Sequence, residues 1–348
     1  MIYFNCDYNE GAHPHILQKL SETNLEQTPG YGEDAYCKEA ADLIRTLCHC
    51  PDAAVHFLVG GTQANLTVIS SALRPYQGVL CADTGHIHLH ETGAVEATGH
   101  KVLSLPSVNG KISARQIQMA YYDQANNDAF EHIVQPKMVY LSSPSELGTL
   151  YSRKELEEIH NVCRECGLYL FLDGARLSYG LAAEENDLAL ADLASFCDVF
   201  YMGGTKCGAL FGEAVVIINQ ELQKDFRYMI KQKGGMLAKG RLLGIQFVEL
   251  LKSNMELYLS LAKHADRLAD QIRYALTQKG YPYLVETTAN QIFVILPDKA
   301  IAALTQNFSV TYQCRVDDSH SAIRICTSWA TRTEDVDSLI HTINTLPD

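Results

Sequence analysis

Tyr169-Leu-Phe-Leu-Asp173-Gly-Ala-Arg176 decides the fold of this chain, together with Asp198-Val-Phe-Tyr-Met-Gly203-Gly-Thr-Lys206. Each is an apolar run closed by glycine, too short for a helix. Strands that are apolar on both faces lie in a mostly parallel sheet covered by helices. Asp173 then closes one strand at its carboxyl end, and Lys206 lies just past the end of a later one. Ligands of open α/β sheets bind along that rim.

Working outward, the same grammar repeats. Residues 55–59, 78–82, 101–105, 138–141 and 214–218 are strand-like. They alternate with helical patterns opening at Asp34, Gln63, Ser113 and Ser152. Alternation of this kind predicts an α/β fold with helices on both faces and right-handed crossovers. A long helical pattern over 242–277 breaks near Asn254, then strands at 291–296 and 322–326 precede a closing helix over 333–344. The reading is an N-terminal arm and large domain over 1–253, and a small α+β domain over 254–348.

Composition narrows the function classes. The net charge of −13 disfavours nucleic acid, which a surface of that sign repels. No apolar stretch reaches the roughly 18 residues a membrane helix needs. The first residues lack a basic segment followed by an apolar one, so a cytoplasmic protein is expected. Eleven cysteines, an odd number set in apolar runs, read as reduced thiols. Cys48-His49-Cys50 and Cys163-Arg-Glu-Cys166 fall outside zinc spacings, and the second pair shares a helical face with Leu156 and Ile159. No metal is expected.

Asp173 and Lys206 together suit pyridoxal 5'-phosphate (PLP). That cofactor needs a lysine to bond its aldehyde carbon and an acid facing its ring nitrogen. Taken alone, Asp173 reads as a helix cap and Lys206 as a surface lysine. An amine behind an apolar strand is desolvated, however, which lowers its pKa and makes it nucleophilic. Gly60-Gly61-Thr62-Gln63, between strand and helix, is an ordinary turn by itself and a phosphate cradle when read with that pair. The Thr205 hydroxyl is a second phosphate donor. His86, His88 and His90 alternate, so they either line a strand face and hold metal or supply one ring for stacking. His86, first after the turn, is favoured for stacking on PLP. Arg176 is either solvated or a carboxylate fork. Arg324 lies in an apolar run and needs an anion, either an acid of the chain or, preferred here, a substrate carboxylate.

The set Gly-Gly-Thr-Gln-Ala-Asn-Leu, Gly-His-Ile, Leu-Asp-Gly-Ala-Arg-Leu and Gly-Thr-Lys resembles the low-specificity threonine aldolases. These belong to the β-eliminating lyase group of fold-type I PLP enzymes. The resemblance runs from Asp7 to Arg324. It implies retro-aldol cleavage of β-hydroxy-α-amino acids, such as threonine or allo-threonine to glycine and acetaldehyde. The nearest alternative is a β-eliminating lyase making pyruvate and ammonia from another amino acid. A non-catalytic PLP-fold binding protein is opposed by the intact Lys206 and Asp173.

By position, the resemblance makes Lys206 the cofactor lysine, Asp173 the ring-nitrogen partner and His86 the stacking residue. Gly61, Thr62 and Thr205 become phosphate contacts, and Arg176 with Arg324 a carboxylate clamp. It also implies homodimers or homotetramers with shared sites, Tyr31 being offered to a neighbouring subunit. Three positions depart from the family pattern. Cys6 replaces a serine near the substrate carboxylate. Glu146 stands where many members place a histidine facing the substrate hydroxyl. Leu237 follows Gly-Gly-Met where many have an arginine, so Lys233 or Lys239 is expected to complete the phosphate site. His86, directly or through water, is the first candidate for general base, and Glu146 the second.

Overall fold

The computed structural model describes residues 1–346. Its main sheet holds seven strands. In spatial order they are Ala54–Leu58, Glu213–Ile217, Val199–Gly203, Tyr169–Asp173, Gln135–Ser142, Gln77–Ala82 and Lys101–Leu105. From Val199–Gly203 outward to Lys101–Leu105 every pairing is parallel. Glu213–Ile217 runs antiparallel to both neighbours. Parallel pairing needs a crossover of a dozen or more residues, and the short loop after Gly203 permits only a reversal. That loop carries Lys206.

Side-chain alternation sends successive strand residues into two cores. Leu170, Leu172, Phe200 and Met202 pack on one face with Ile44, Ile159, Cys163, Cys166 and Phe247. Phe171, Val199 and Tyr201 pack on the other with Ala64, Val68, Ile69 and Ile230. Helices therefore cover both faces, and Cys163 and Cys166 are buried packing residues. The helix Arg153–Cys166 is delimited locally: Ser152 and Glu155 form a capping box, and Gly167 ends it at φ 64°.

The long helical stretch Arg241–Gln278 is interrupted at Lys252–Met255, where Ser253, Asn254 and Met255 take positive φ. Beyond it, four antiparallel strands lie in the order Thr311–Arg315, His320–Cys326, Gln291–Pro297, Tyr283–Val285. They pack on Leu268, Ile272, Leu276, Val336 and Ile343. The arm departs from the expected partition, since it joins this smaller core. Ile2–Tyr3 pairs with Phe308–Ser309, and Phe4 is buried among the residues of that core. An apolar Ile-Tyr-Phe start needs cover, which the small sheet supplies.

Candidate active site

Ser142 and Asp173 are cross-strand partners at the carboxyl rim. Beside them the Gly203 N–H donates to the Gly174 carbonyl at 2.9 Å. A Cβ on Gly174 would lie 2.0 Å from the Tyr201 carbonyl oxygen, so only glycine allows this approach. The rim thus brings the turn after Asp173 against the end of the strand that leads to Lys206.

Asp173 is buried and fully engaged. Its Oδ1 accepts the Ala175 N–H at 2.9 Å. Its Oδ2 accepts the Tyr140 hydroxyl at 2.5 Å and Asn65 Nδ2 at 3.2 Å. Asn65 Nδ2 also donates to Glu91 Oε1 at 2.7 Å, and His86 Nδ1 lies 2.8 Å from that same oxygen. An oxygen already accepting from Asn65 accepts from the imidazole too. His86 therefore carries its proton on Nδ1 and presents Nε2 as a base.

Residues 86–89 form a helical turn, not a strand, which overturns the shared-strand-face reading of the three histidines. Helical spacing brings His86 and His90 together, with ring centroids 5.6 Å apart, and leaves His88 exposed. No cluster of metal-ligand side chains occurs among the described residues. Burial lowers the proton affinity of His90, and the charges of His86 and Arg324 add to this against Glu91.

Glu146 sits beneath the same turn. It accepts the His86 backbone N–H at 2.8 Å and the Ser142 hydroxyl at 2.6 Å through Oε1. Burial raises its carboxyl pKa, the Ser142 bond opposes this, and the Asp173 charge adds to it. Lys206 is half-buried; burial and the Arg176 charge lower its amine pKa, against Asp7, Asp173 and Glu213.

The expected phosphate cradle is the start of the helix Gly61–Ala72. Its N-cap, Gly60, offers no side-chain cap, so the first N–H groups stay open. A Cβ at Gly61 would meet the Tyr201 hydroxyl at 2.9 Å. Thr62 is exposed. The Thr205 hydroxyl donates to Glu213 Oε1 at 2.9 Å and accepts the Gly212 N–H at 3.0 Å. Burial of Glu213 on the adjacent strand demands that donor. Lys233 meets the cradle through its carbonyl, which accepts Gln63 Nε2 at 3.1 Å. Lys239 is exposed, next to a Gly240 packed on Gly32 in the Tyr31 turn.

The two arginines differ. Arg176 donates through Nε and Nη2 to Asp7, at 2.7 and 3.0 Å, and Asn290 Nδ2 adds a third bond to Asp7 at 3.0 Å. The arm thus takes the Nε and Nη2 edge of the Arg176 fork. Burial would raise the Asp7 carboxyl, yet Arg176 and Lys206, with the Arg176 and Asn290 bonds, hold it at about 2. Arg324 Nη2 contacts the Asn5 carbonyl at 2.9 Å and Thr311 Oγ1 at 3.4 Å. Its Nε is buried without a hydrogen-bond partner among the described residues. The anion Arg324 needs is not supplied from within those residues.

Cys6 is buried beside Asp7 and donates its thiol to Asn9 Oδ1 at 3.1 Å. Tyr31 is 48% exposed at φ 59°, with the Lys231 amine 5.0 Å over its ring. Its backbone contacts Arg227 and Ala238, away from Lys206, Asp173 and His86. Sequence reasoning missed Asp7, Asn65, Tyr140, Glu91 and Asn290 as site residues. Only Asn65 carried a signal, lying one helical turn after Gly61.

The family model for the beta-eliminating lyases matches residues 11–298. The chain is 32% identical to the low-specificity L-threonine aldolase of Pseudomonas aeruginosa over 304 residues, 86% of each chain. It is 26% identical to that of Saccharomyces cerevisiae over 290 residues, 81% of this chain and 71% of the relative. The structure of Leishmania major threonine aldolase superposes with a TM-score of 0.96 at 43% identity, covering 99% of both chains. Thermus thermophilus aspartate aminotransferase, at 15% identity and a TM-score of 0.73 over 99% of this chain and 91% of that one, shares the fold. By sequence profile and by pairwise identity alike, the chain belongs to the beta-eliminating lyase family.

Proposed function

We propose that the protein cleaves β-hydroxy-α-amino acids, threonine or allo-threonine, to glycine and acetaldehyde, using PLP held at Lys206. The observation that carries this is Arg324, whose buried Nε has no hydrogen-bond partner among the described residues, together with a fully bonded Asp173. An anion-seeking cation and an acid fixed beside a desolvated lysine fit an amino-acid carboxylate and a pyridine nitrogen respectively.

Bound PLP supplies an electron sink for the breaking Cα–Cβ bond. The rest is the work of the chain. Lys206 would hold the aldehyde carbon, its lowered proton affinity favouring the neutral amine. Asp173, braced by Tyr140 and Asn65, would keep a proton on the ring nitrogen. The open N–H groups at Gly61 and Thr62 would take the phosphate. Arg324 would grip the substrate carboxylate and so set which bond stands upright to the ring. His86 Nε2 would take the hydroxyl proton, its ring held by Glu91. Glu146, its oxygen already bonded to His86 and Ser142, would act as a buried prop beneath the His86 turn.

The exposed Tyr31 turn favours a homodimer or homotetramer in which Tyr31 meets a neighbouring site. A cytoplasmic location is supported by eleven free cysteines, and no helix among the described residues is long and apolar enough to cross a membrane. Incubation with threonine and allo-threonine should yield glycine and acetaldehyde. Pyruvate from serine, with no aldehyde from threonine, would replace this reading by β-elimination.

A further inference from the structure

Asn65 lies one turn into the helix Gly61–Ala72 and is 0% exposed. Its Nδ2 donates to Glu91 Oε1 at 2.7 Å and to Asp173 Oδ2 at 3.2 Å. Both acids are buried. An amide nitrogen carries two protons to give, whereas the amide oxygen only accepts. Turning the amide over would set Oδ1 against two carboxylate oxygens, so the nitrogen faces both acids. That orientation leaves Oδ1 buried without a hydrogen-bond partner among the described residues. The neighbouring buried positions Ala64, Val68 and Ile69 are apolar, so packing alone does not call for an amide here.

The two acids depend on Asn65 unequally. Asp173 also accepts the Tyr140 hydroxyl and the Ala175 N–H. Glu91 meets Asn65 and His86 Nδ1 through Oε1 alone, and its Oε2 is buried without a partner among the described residues. A buried carboxylate that loses a donor takes up a proton more readily. A protonated Glu91 donates to His86 Nδ1 instead, the neutral ring then carries its proton on Nε2, and the base is lost. A protonated Asp173 has no charge to offer a protonated ring nitrogen.

We propose that Asn65 is a positioning residue that keeps Glu91 and Asp173 ionised side by side, so that one amide fixes both the tautomer of His86 and the charge of the ring-nitrogen acid. This rests on the reading of Asp173 as that acid and of His86 as the base. The helix that opens the phosphate cradle thereby aligns two further parts of the site.

The test uses the full chain without cofactor and has two readouts. In protein carrying isotope-labelled histidine, the Nδ1–H magnetic resonance signal of His86 is identified by its loss in His86→Gln. Affinity for 4-deoxypyridoxine 5'-phosphate, which has the ring nitrogen but no aldehyde for Lys206, is measured by equilibrium dialysis. Asn65→Leu should lose the Nδ1–H signal and weaken the analogue by roughly threefold to tenfold. Asn65→Ala serves the same comparison should the leucine variant not accumulate. Thr67→Val, at another buried position of the same helix, should leave both readouts in place. A change at one end alone or at neither, equal changes in Thr67→Val, or no Nδ1–H signal in the unaltered protein overturns the proposal. Failure of the analogue to bind the unaltered protein overturns the reading of Asp173 beneath it instead, and the histidine signal still reports on Asn65.

Discussion

Asp7 and Arg176, 169 residues apart, form a two-pronged ion pair in which Nε and Nη2 meet the two carboxylate oxygens at 2.7 and 3.0 Å. Asp7 is 0% exposed. The pair ties the N-terminal arm, which belongs to the small core, to the turn that follows Asp173. Removing one partner strands the other as a buried charge. Asp7→Asn should lower the unfolding free energy by about 3–5 kcal/mol in denaturant titrations. The carboxyl is held at about 2, below the ordinary aspartate value of 3.8. Its stabilisation is thus complete above pH 4 and disappears as pH falls from about 4 to about 2. The variant should show a flatter acid limb over that window.

Arg324 should behave oppositely. Its guanidinium has no acidic partner among the described residues to strand, so Arg324→Lys should change the melting temperature little. Losing a planar fork on a carboxylate should raise KM for threonine roughly ten- to hundredfold. Steady-state kinetics beside thermal melts would separate the two arginines. An unchanged KM would remove Arg324 from the substrate site.

Gly61 and Tyr201 make a space-limited contact, with a Cβ at Gly61 meeting the hydroxyl at 2.9 Å. Gly61→Ala should shift the helix start and weaken PLP binding. Tyr201→Phe deletes the obstructing oxygen, so the double variant should regain much of the affinity lost by the single one. Equilibrium dialysis of PLP reads both. Equal losses in the single and double variants would mean the turn has another function.

Glu91 fixes the His86 ring at 2.8 Å. Glu91→Gln replaces the acceptor that fixes the Nδ1 proton with an amide that can turn either of its ends to the ring, so His86 should be less well oriented as a base. Turnover should drop between about tenfold and about a hundredfold, a share of the 10²–10⁴ that general-base catalysis contributes. KM should hold, because Glu91 faces the imidazole and not the carboxylate end.

Asp173 and Lys206 were legible in the sequence because apolar strand runs ended by glycine announce a rim. The break near Asn254 was legible as a lapse in helical period, and it appears as three positive-φ residues. The antiparallel turn of Glu213–Ile217 was not, since a fully buried strand has the same apolar pattern in either direction. Asp7 and Glu91 were hidden for a different reason, and Asn65 showed only its place one helical turn after Gly61. A buried polar residue in an arm or helix reads locally as a solvated one, and only the tertiary fold supplies partners such as Arg176 or Asp173. The Asp7 partner of Arg176 was hidden by the same blindness: a fork looks open until the acid that meets it is found.

Asp266 is the clearest stability cost in the fold. Both its oxygens are buried without hydrogen-bond partners among the described residues. Burial pushes its carboxyl up to about 8, against the pull of Arg273, with Asp270 adding to the rise. A folded-state pKa above the unfolded value near 4 means that folding binds a proton in that interval. Stability therefore falls as pH rises from about 4 to about 8. Asp266→Asn keeps the shape and abolishes the ionisation. It should gain about 1–3 kcal/mol at pH 8, seen as a melting point higher by a few degrees, and nothing at pH 4. Melting curves at both pH values decide it: parallel pH dependence in the two proteins would mean that Asp266 finds a counter-charge in solution.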